Sequence, residues 1–398
     1  MNNIISNWAY CPKTKKTFLK VEDYDQSKIA FGWAEGGYRD PSIDVLKGIA
    51  IVLVVYGHTW PFCRNFIYLF HMAVFMMASG ILYSGKIDSI REYLKYIIKK
   101  IKGLYIPFVI CNATFVLCGG VFIKLGIYTT DPSIATLTKS WPVVQTLYPI
   151  QGFITMLKEL IKVFMFVKPT QLGTATWFLS SLFAVQVVHA GVQLLIKSVE
   201  GRLKNVINVA IMLIMLLGAQ LISINRPHWV FIVKCFPCTY AAFLFGFLIR
   251  KIKWRYIYTW WMGSISFCVL VILSFSFSIE VSAGRISNIA VFVVSSVSGW
   301  ILLKAISEML IYSGVNTEIL QYIGKHTMSI LCLHVLSFKI VSLIYIKSKA
   351  APKVLLAGFH VIFDANEIWK GLYLVAGIGI PLLLYWIYGK AINAIRKI

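Results

Sequence analysis

Apolar residues recur along this chain in runs of about twenty, the length of helix that crosses a bilayer's hydrocarbon core, with short polar stretches between them. Ten runs stand out, at residues 43–61, 66–85, 104–127, 177–196, 205–224, 228–249, 256–279, 286–306, 322–346 and 371–389. None shows the alternation, over roughly ten residues, that marks an outer-membrane strand. The pattern therefore predicts an all-α fold, a polytopic membrane helix bundle of about ten transmembrane helices. Residues 151–168 carry an apolar stripe suited to a helix lying in the interface. Residues 1–40 are polar and mixed in charge, so they read as an N-terminal segment ahead of a membrane domain over 41–398, with the first span acting as the internal signal.

Composition sharpens this picture. Only 14% of the 398 residues are charged and 58% are apolar, against roughly 25% charged in a soluble domain. The net charge of +23 would suit nucleic acid if it gathered on one face, but the cations lie between apolar runs. Topology accounts for them: with the N-terminus inside, the inner segments hold 22 Lys and Arg and the outer ones 10, which places both termini in the cytoplasm. The 8 Cys mostly fall inside apolar runs without disulfide or zinc spacing. Cys235 and Cys238 have the spacing of a redox dithiol but not its βαβ setting, and read as small core residues. Oligomeric state is not legible.

Ionisable groups inside a span are costly and mark function by default. The first span holds Asp44, Lys47 and His58. Eleven residues separate Lys47 from His58, which returns them to within about 20° of one helix face and about 16 Å apart along the axis. Asp44 shares that face and could instead simply pair with Lys47 at i,i+3. A short turn through Pro61 and Arg64 then brings His71, early in the second span, to the depth of His58, so two imidazoles are expected to share a pocket suited to proton transfer. No further ligand lies at metal spacing, so no metal is expected. Lys95, Lys99 and Lys102 would share a face of the first inner loop, 86–103, where they could meet phosphates or merely obey the positive-inside rule. Lys234 interrupts the sixth span and either snorkels or meets a substrate. Tyr56 and Trp177 could flank a substrate, whereas His189, His228, His326 and His360 have no supporting pattern and read as packing residues.

The run Ile43-Asp44-Val45-Leu46-Lys47-Gly48-Ile49-Ala50, ending at Tyr56-Gly57-His58, resembles the opening motif of the acyltransferase-3 family of membrane O-acyltransferases, especially its fucose-4-O-acetylase-like branch. Phe70-His71-Met72-Ala73 through Ser79-Gly80, Trp177-Phe178-Leu179, and Ile323-Gly324-Lys325 through His334 are similar to later motifs of that family, in order, over residues from about 39 onward. The resemblance puts His58 in the place of the essential histidine, makes His334 a candidate for the central cavity, and puts Lys47 where the family usually carries Arg. Lysine is a point charge without arginine's bidentate fork. Ala73 stands where a proline is common. The resemblance implies an enzyme of a bacterial cytoplasmic membrane that moves an acetyl group from cytoplasmic acetyl-CoA to a hydroxyl of an envelope or surface carbohydrate, among membrane lipids and with no nucleic acid. His58 is then the general base; a prior acyl-imidazole stays open. The competing reading is a carrier or flippase for a lipid-linked glycan, with the buried charges lining a path.

Overall fold

Asp40 and Pro41 start the first helix. The Asp40 carboxylate accepts the Ser42 N–H at 2.8 Å, and Pro41 occupies the first turn, where its missing donor costs nothing. The resulting helix α1, Pro41–Gly57, runs to His58, whose N–H closes the last turn on the Val54 carbonyl at 3.2 Å. This computed structural model describes residues 40–129, 152–167, 169–199, 201–226, 231–250, 258–362 and 365–395. All of the 1–40 segment except Asp40 lies outside the described residues, as do His228 and most of the stretch between 128 and 152.

After α1 come α2, Arg64–Tyr68; α3, His71–Ile81; α4, Ile90–Lys100; α5, Ile106–Leu117; α6, Gly119–Lys124; and α7, Phe153–Phe164. Then follow α8, Trp177–Leu195; α9, Gly201–Asn225; α10, Phe231–Ile249; α11, Trp260–Ser276; and α12, Ile289–Tyr312. The chain ends with α13, Glu318–Lys325; α14, Thr327–Lys349; and α15, Glu367–Ile395. The described residues form no strand; an isolated bridge joins Glu280 and Arg285. Among the described residues, seven helical stretches are long and apolar enough to cross a membrane, and α11 is a shorter apolar helix.

Three boundaries differ from the hydropathy runs. The run at 66–85 is divided between α2 and α3, because Phe70, at φ −139°, leaves helical geometry. The run at 322–346 is divided into α13 and α14 at His326. The loop expected at 86–103 is instead the first half of one helical rod, Ile90–Leu117, in which a π-helical turn over Ile101–Tyr105 joins α4 to α5. Apolarity sets which residues seek lipid, whereas the continuity of backbone hydrogen bonds sets where a helix stops.

Packing follows membrane rules, with small residues where backbones approach and polar groups bridging helices. Gly48 of α1 lies against the Leu320 carbonyl of α13, and Gly324 of α13 lies against the Asp44 carbonyl, so neither tolerates a Cβ. Gly80 of α3 and Gly246 of α10 interlock in the same way, on the carbonyls of Phe243 and Met77. Ser181 of α8 donates to Thr239 of α10 at 2.8 Å, and Gln193 of α8 donates to Asn208 of α9 at 3.1 Å. Pro237 and Pro381 lie within α10 and α15, removing one backbone donor each. The outward faces of α9 and α15 remain apolar, with Leu217, Leu221, Val375 and Ile387 exposed, as a lipid-facing surface requires.

Candidate active site

The C-terminal end of α1 delivers His58 into a cluster of imidazoles. Its ring centroid lies 4.5 Å from His360 and 5.3 Å from His334, with interplanar angles of 46° and 34°. His334 comes from α14, and His360 from the connection between α14 and α15. His334 is fully buried and His360 nearly so, while His58 stays partly exposed.

Hydrogen bonding fixes part of the proton arrangement. The Ile330 carbonyl can only accept, so the 2.8 Å contact from His334 Nδ1 assigns the proton to Nδ1 and leaves Nε2 as a lone pair. Nε2 of His334, Nδ1 of His58 and Nδ1 of His360 have no hydrogen-bond partner among the described residues. Three unpaired buried imidazole nitrogens grouped together are costly to a fold and mark a place of chemistry. Burial, then the neighbouring His334 and Lys339, lowers the His360 pKa well below the ordinary imidazole value, so that this ring stays neutral. Among the described residues no group of three or more His, Cys, Asp or Glu could hold a metal ion.

Two cations frame the cluster. Lys339 of α14 is 4% exposed, and its ammonium donates to the Leu356 carbonyl at 3.1 Å and to the Gly358 carbonyl. It thereby ties down the connection that carries His360, a non-glycine residue held at φ 59°. Arg64 of α2 lies over the Trp60 and Tyr68 rings at 4.1 and 4.0 Å, and its charge adds to that of Lys339 in lowering the His360 pKa.

The other expected residues fall in several places. His71 is buried, with Nδ1 on the Ile67 carbonyl at 2.8 Å, and its ring packs on Tyr68 at 4.9 Å. Asp44 is buried beside Lys47, 3.6 Å away, and by helix rise it lies about 21 Å from His58. Tyr56 precedes His58 by two residues, its carbonyl accepting from both Thr59 donors at 2.9 and 2.8 Å. Trp177 is buried at the start of α8, after a 3-10 turn that touches α14. That turn is pinned by Asn112 of α5, which accepts from the Thr170 N–H at 2.7 Å and donates to Thr176 at 2.9 Å. Lys234 is half-buried near the start of α10, its carbonyl against Gly284.

Lys95 and Lys99 line a cavity of about 540 Å³ at the far end of α3 from His71, together with Lys86, Lys100 and Gln186. Lys102 does not line it; it lies in the π-helical turn that follows α4. Four ammonium groups against Glu92 fit a ligand bearing phosphates.

Spacing along the chain points to neither of two residues that the fold brings into play. His360 sits in a connection with no periodicity, and nothing local announces it. Lys304 did leave a signal, as a lysine in the middle of an apolar run. It is buried in α12, bonded to Ser42 and paired with Asp40 at 3.6 Å and Glu308 at 2.9 Å, where it anchors the start of α1.

Compared with known proteins, residues 40–386 match the family model described as an acyltransferase domain. No curated protein and no solved structure matches the chain.

Proposed function

The chain belongs to the acyltransferase-3 family, and we propose that it moves an acetyl group from cytoplasmic acetyl-CoA to a hydroxyl of an envelope or surface carbohydrate, with His58 as general base. It is a multi-pass membrane acyltransferase. The fucose-4-O-acetylase-like branch, the bacterial inner membrane and the acetyl donor belong to the proposal. So does a topology of about ten crossings with both termini inside, which is supported by seven long apolar helices, by α1, the α2–α3 pair and α11 as shorter ones, and by the bias of Lys and Arg.

The observation that carries the reading is the group of unpaired imidazole nitrogens around His58. The donor supplies an activated carbonyl and a thiolate leaving group. His58 takes the proton of the acceptor hydroxyl as its oxygen bonds to that carbonyl; the C–S bond breaks, and the imidazolium returns the proton to the departing sulfur. His334, its Nδ1 proton committed to Ile330, offers only an acceptor to the cluster and can hold the acceptor hydroxyl or the charged His58 ring. The lysines of the 540 Å³ cavity bind the donor's phosphates.

Purified protein in lipid nanodiscs, given acetyl-CoA and envelope glycan, should release CoA only when the acceptor is present. His58→Ala should lower that rate by about 10²- to 10⁴-fold, the usual worth of a general base. An unchanged rate in the variant overturns the assignment of His58, and glycan movement without CoA turnover favours the carrier.

A further inference from the structure

Beside the 540 Å³ cavity lies a second of about 230 Å³, and the two share Tyr83, Gly85, Lys86 and Ile87 as a common wall. Alone, the smaller one is under the roughly 300–1,000 Å³ of small-molecule sites; with its neighbour it falls within that range. Its chemistry differs from the apolar bundle around it. Lys204 of α9, Arg250 after α10 and Lys86 line it, against one acid, Asp88. Asn208, bonded to Gln193, supplies its polar floor. Tyr83, 4% exposed, lines both chambers, and its hydroxyl has no partner among the described residues. The ring packs against His189 at 4.8 Å and Tyr96 at 5.7 Å, while its carbonyl accepts from Arg250. A buried hydroxyl left unpaired in the wall between two sets of cations suits a phosphate oxygen.

Resting on the donor reading above, we propose that the chambers form one bipartite pocket for a donor with two separated phosphate groups. The larger chamber takes one through Lys95, Lys99 and Lys100. The smaller takes the other through Lys204, Arg250 and the Tyr83 hydroxyl. Coenzyme A has this form, with a diphosphate and a separate ribose 3′-phosphate. The smaller chamber then makes the enzyme selective for the full coenzyme over a donor with the diphosphate alone.

Binding of CoA and of dephospho-CoA, which lacks the 3′-phosphate, is measured on the intact protein in zwitterionic nanodiscs. CoA should bind about tenfold or more tighter, the worth of one charge-assisted contact set. Lys204→Gln should erase that difference while leaving dephospho-CoA affinity unchanged, and Lys99→Gln should weaken both ligands. Equal affinity of the wild type for the two ligands overturns the proposal, as does a Lys204→Gln effect that is absent or equal on both. If Lys204→Gln alters only the binding of anionic-lipid vesicles, the chamber holds a headgroup and the proposal falls. If the wild type binds neither ligand, it is the donor reading that fails, and the inference goes with it.

Discussion

Lys339 shows how one buried charge can set the shape of a site it does not touch. Its ammonium satisfies two carbonyls of the connection that presents His360 to His58. Lys339→Met leaves both carbonyls without their donor, at about 1–3 kcal/mol for each buried group, and frees the connection. The expected outcome is a fall in kcat with little change in KM for the donor, read by steady-state kinetics. Lys339→Arg should restore part of the rate if positioning is its role, whereas a purely structural lysine would change thermal stability and kcat in step. The sequence disclosed this neighbourhood unevenly. His58 stood out because a polar group in an apolar run is costly, and His334 through its motif. His360 and Lys339 gain their roles only when the chain closes on itself over twenty-odd residues, a contact that no local period encodes.

The helices meet through glycines, and at two crossings that contact leaves no room for a side chain. A Cβ on Gly324 would strike the Asp44 carbonyl, and one on Gly48 the Leu320 carbonyl. Gly324→Val should therefore lower the thermal midpoint in detergent, overpacking of this kind costing about 1–3 kcal/mol. Gly379→Ala in α15, where nothing lies within 4 Å, should be neutral or gain up to about 1 kcal/mol from reduced backbone freedom. Similar losses in the two variants would show that backbone entropy, and not the crossing, governs both. The long apolar stretches of α9, α12 and α15 were legible as runs. The break at Phe70 was not, since it sits inside apolar sequence, whereas the break at His326 falls between Lys325 and Thr327, where the apolar run is already interrupted.

At the scale of the whole molecule, exposed apolar surface surrounds an apolar core that carries the imidazole cluster toward one end and the lysine-lined cavity toward the other. The Lys and Arg bias predicts the sides on which these ends lie. Labelling with a membrane-impermeant thiol reagent, in a background without native Cys, tests it: Cys at Lys99 should react only after permeabilisation, and Cys at Arg285, exposed in its turn beside Glu280, should react in intact cells. The reverse pattern inverts the topology and with it the side from which a donor enters.

The glycine contact at the midpoint of α1 also has a mechanical consequence. Gly48 sits about halfway along a seventeen-residue rod whose start is moored through Asp40 and Ser42 to Lys304, and whose tip carries His58. Gripped there, and packed along its length against α3, α12, α14 and α15 as well, the rod holds its tip in step with its moored end, so the depth of His58 in the bundle is set from the opposite end of the helix.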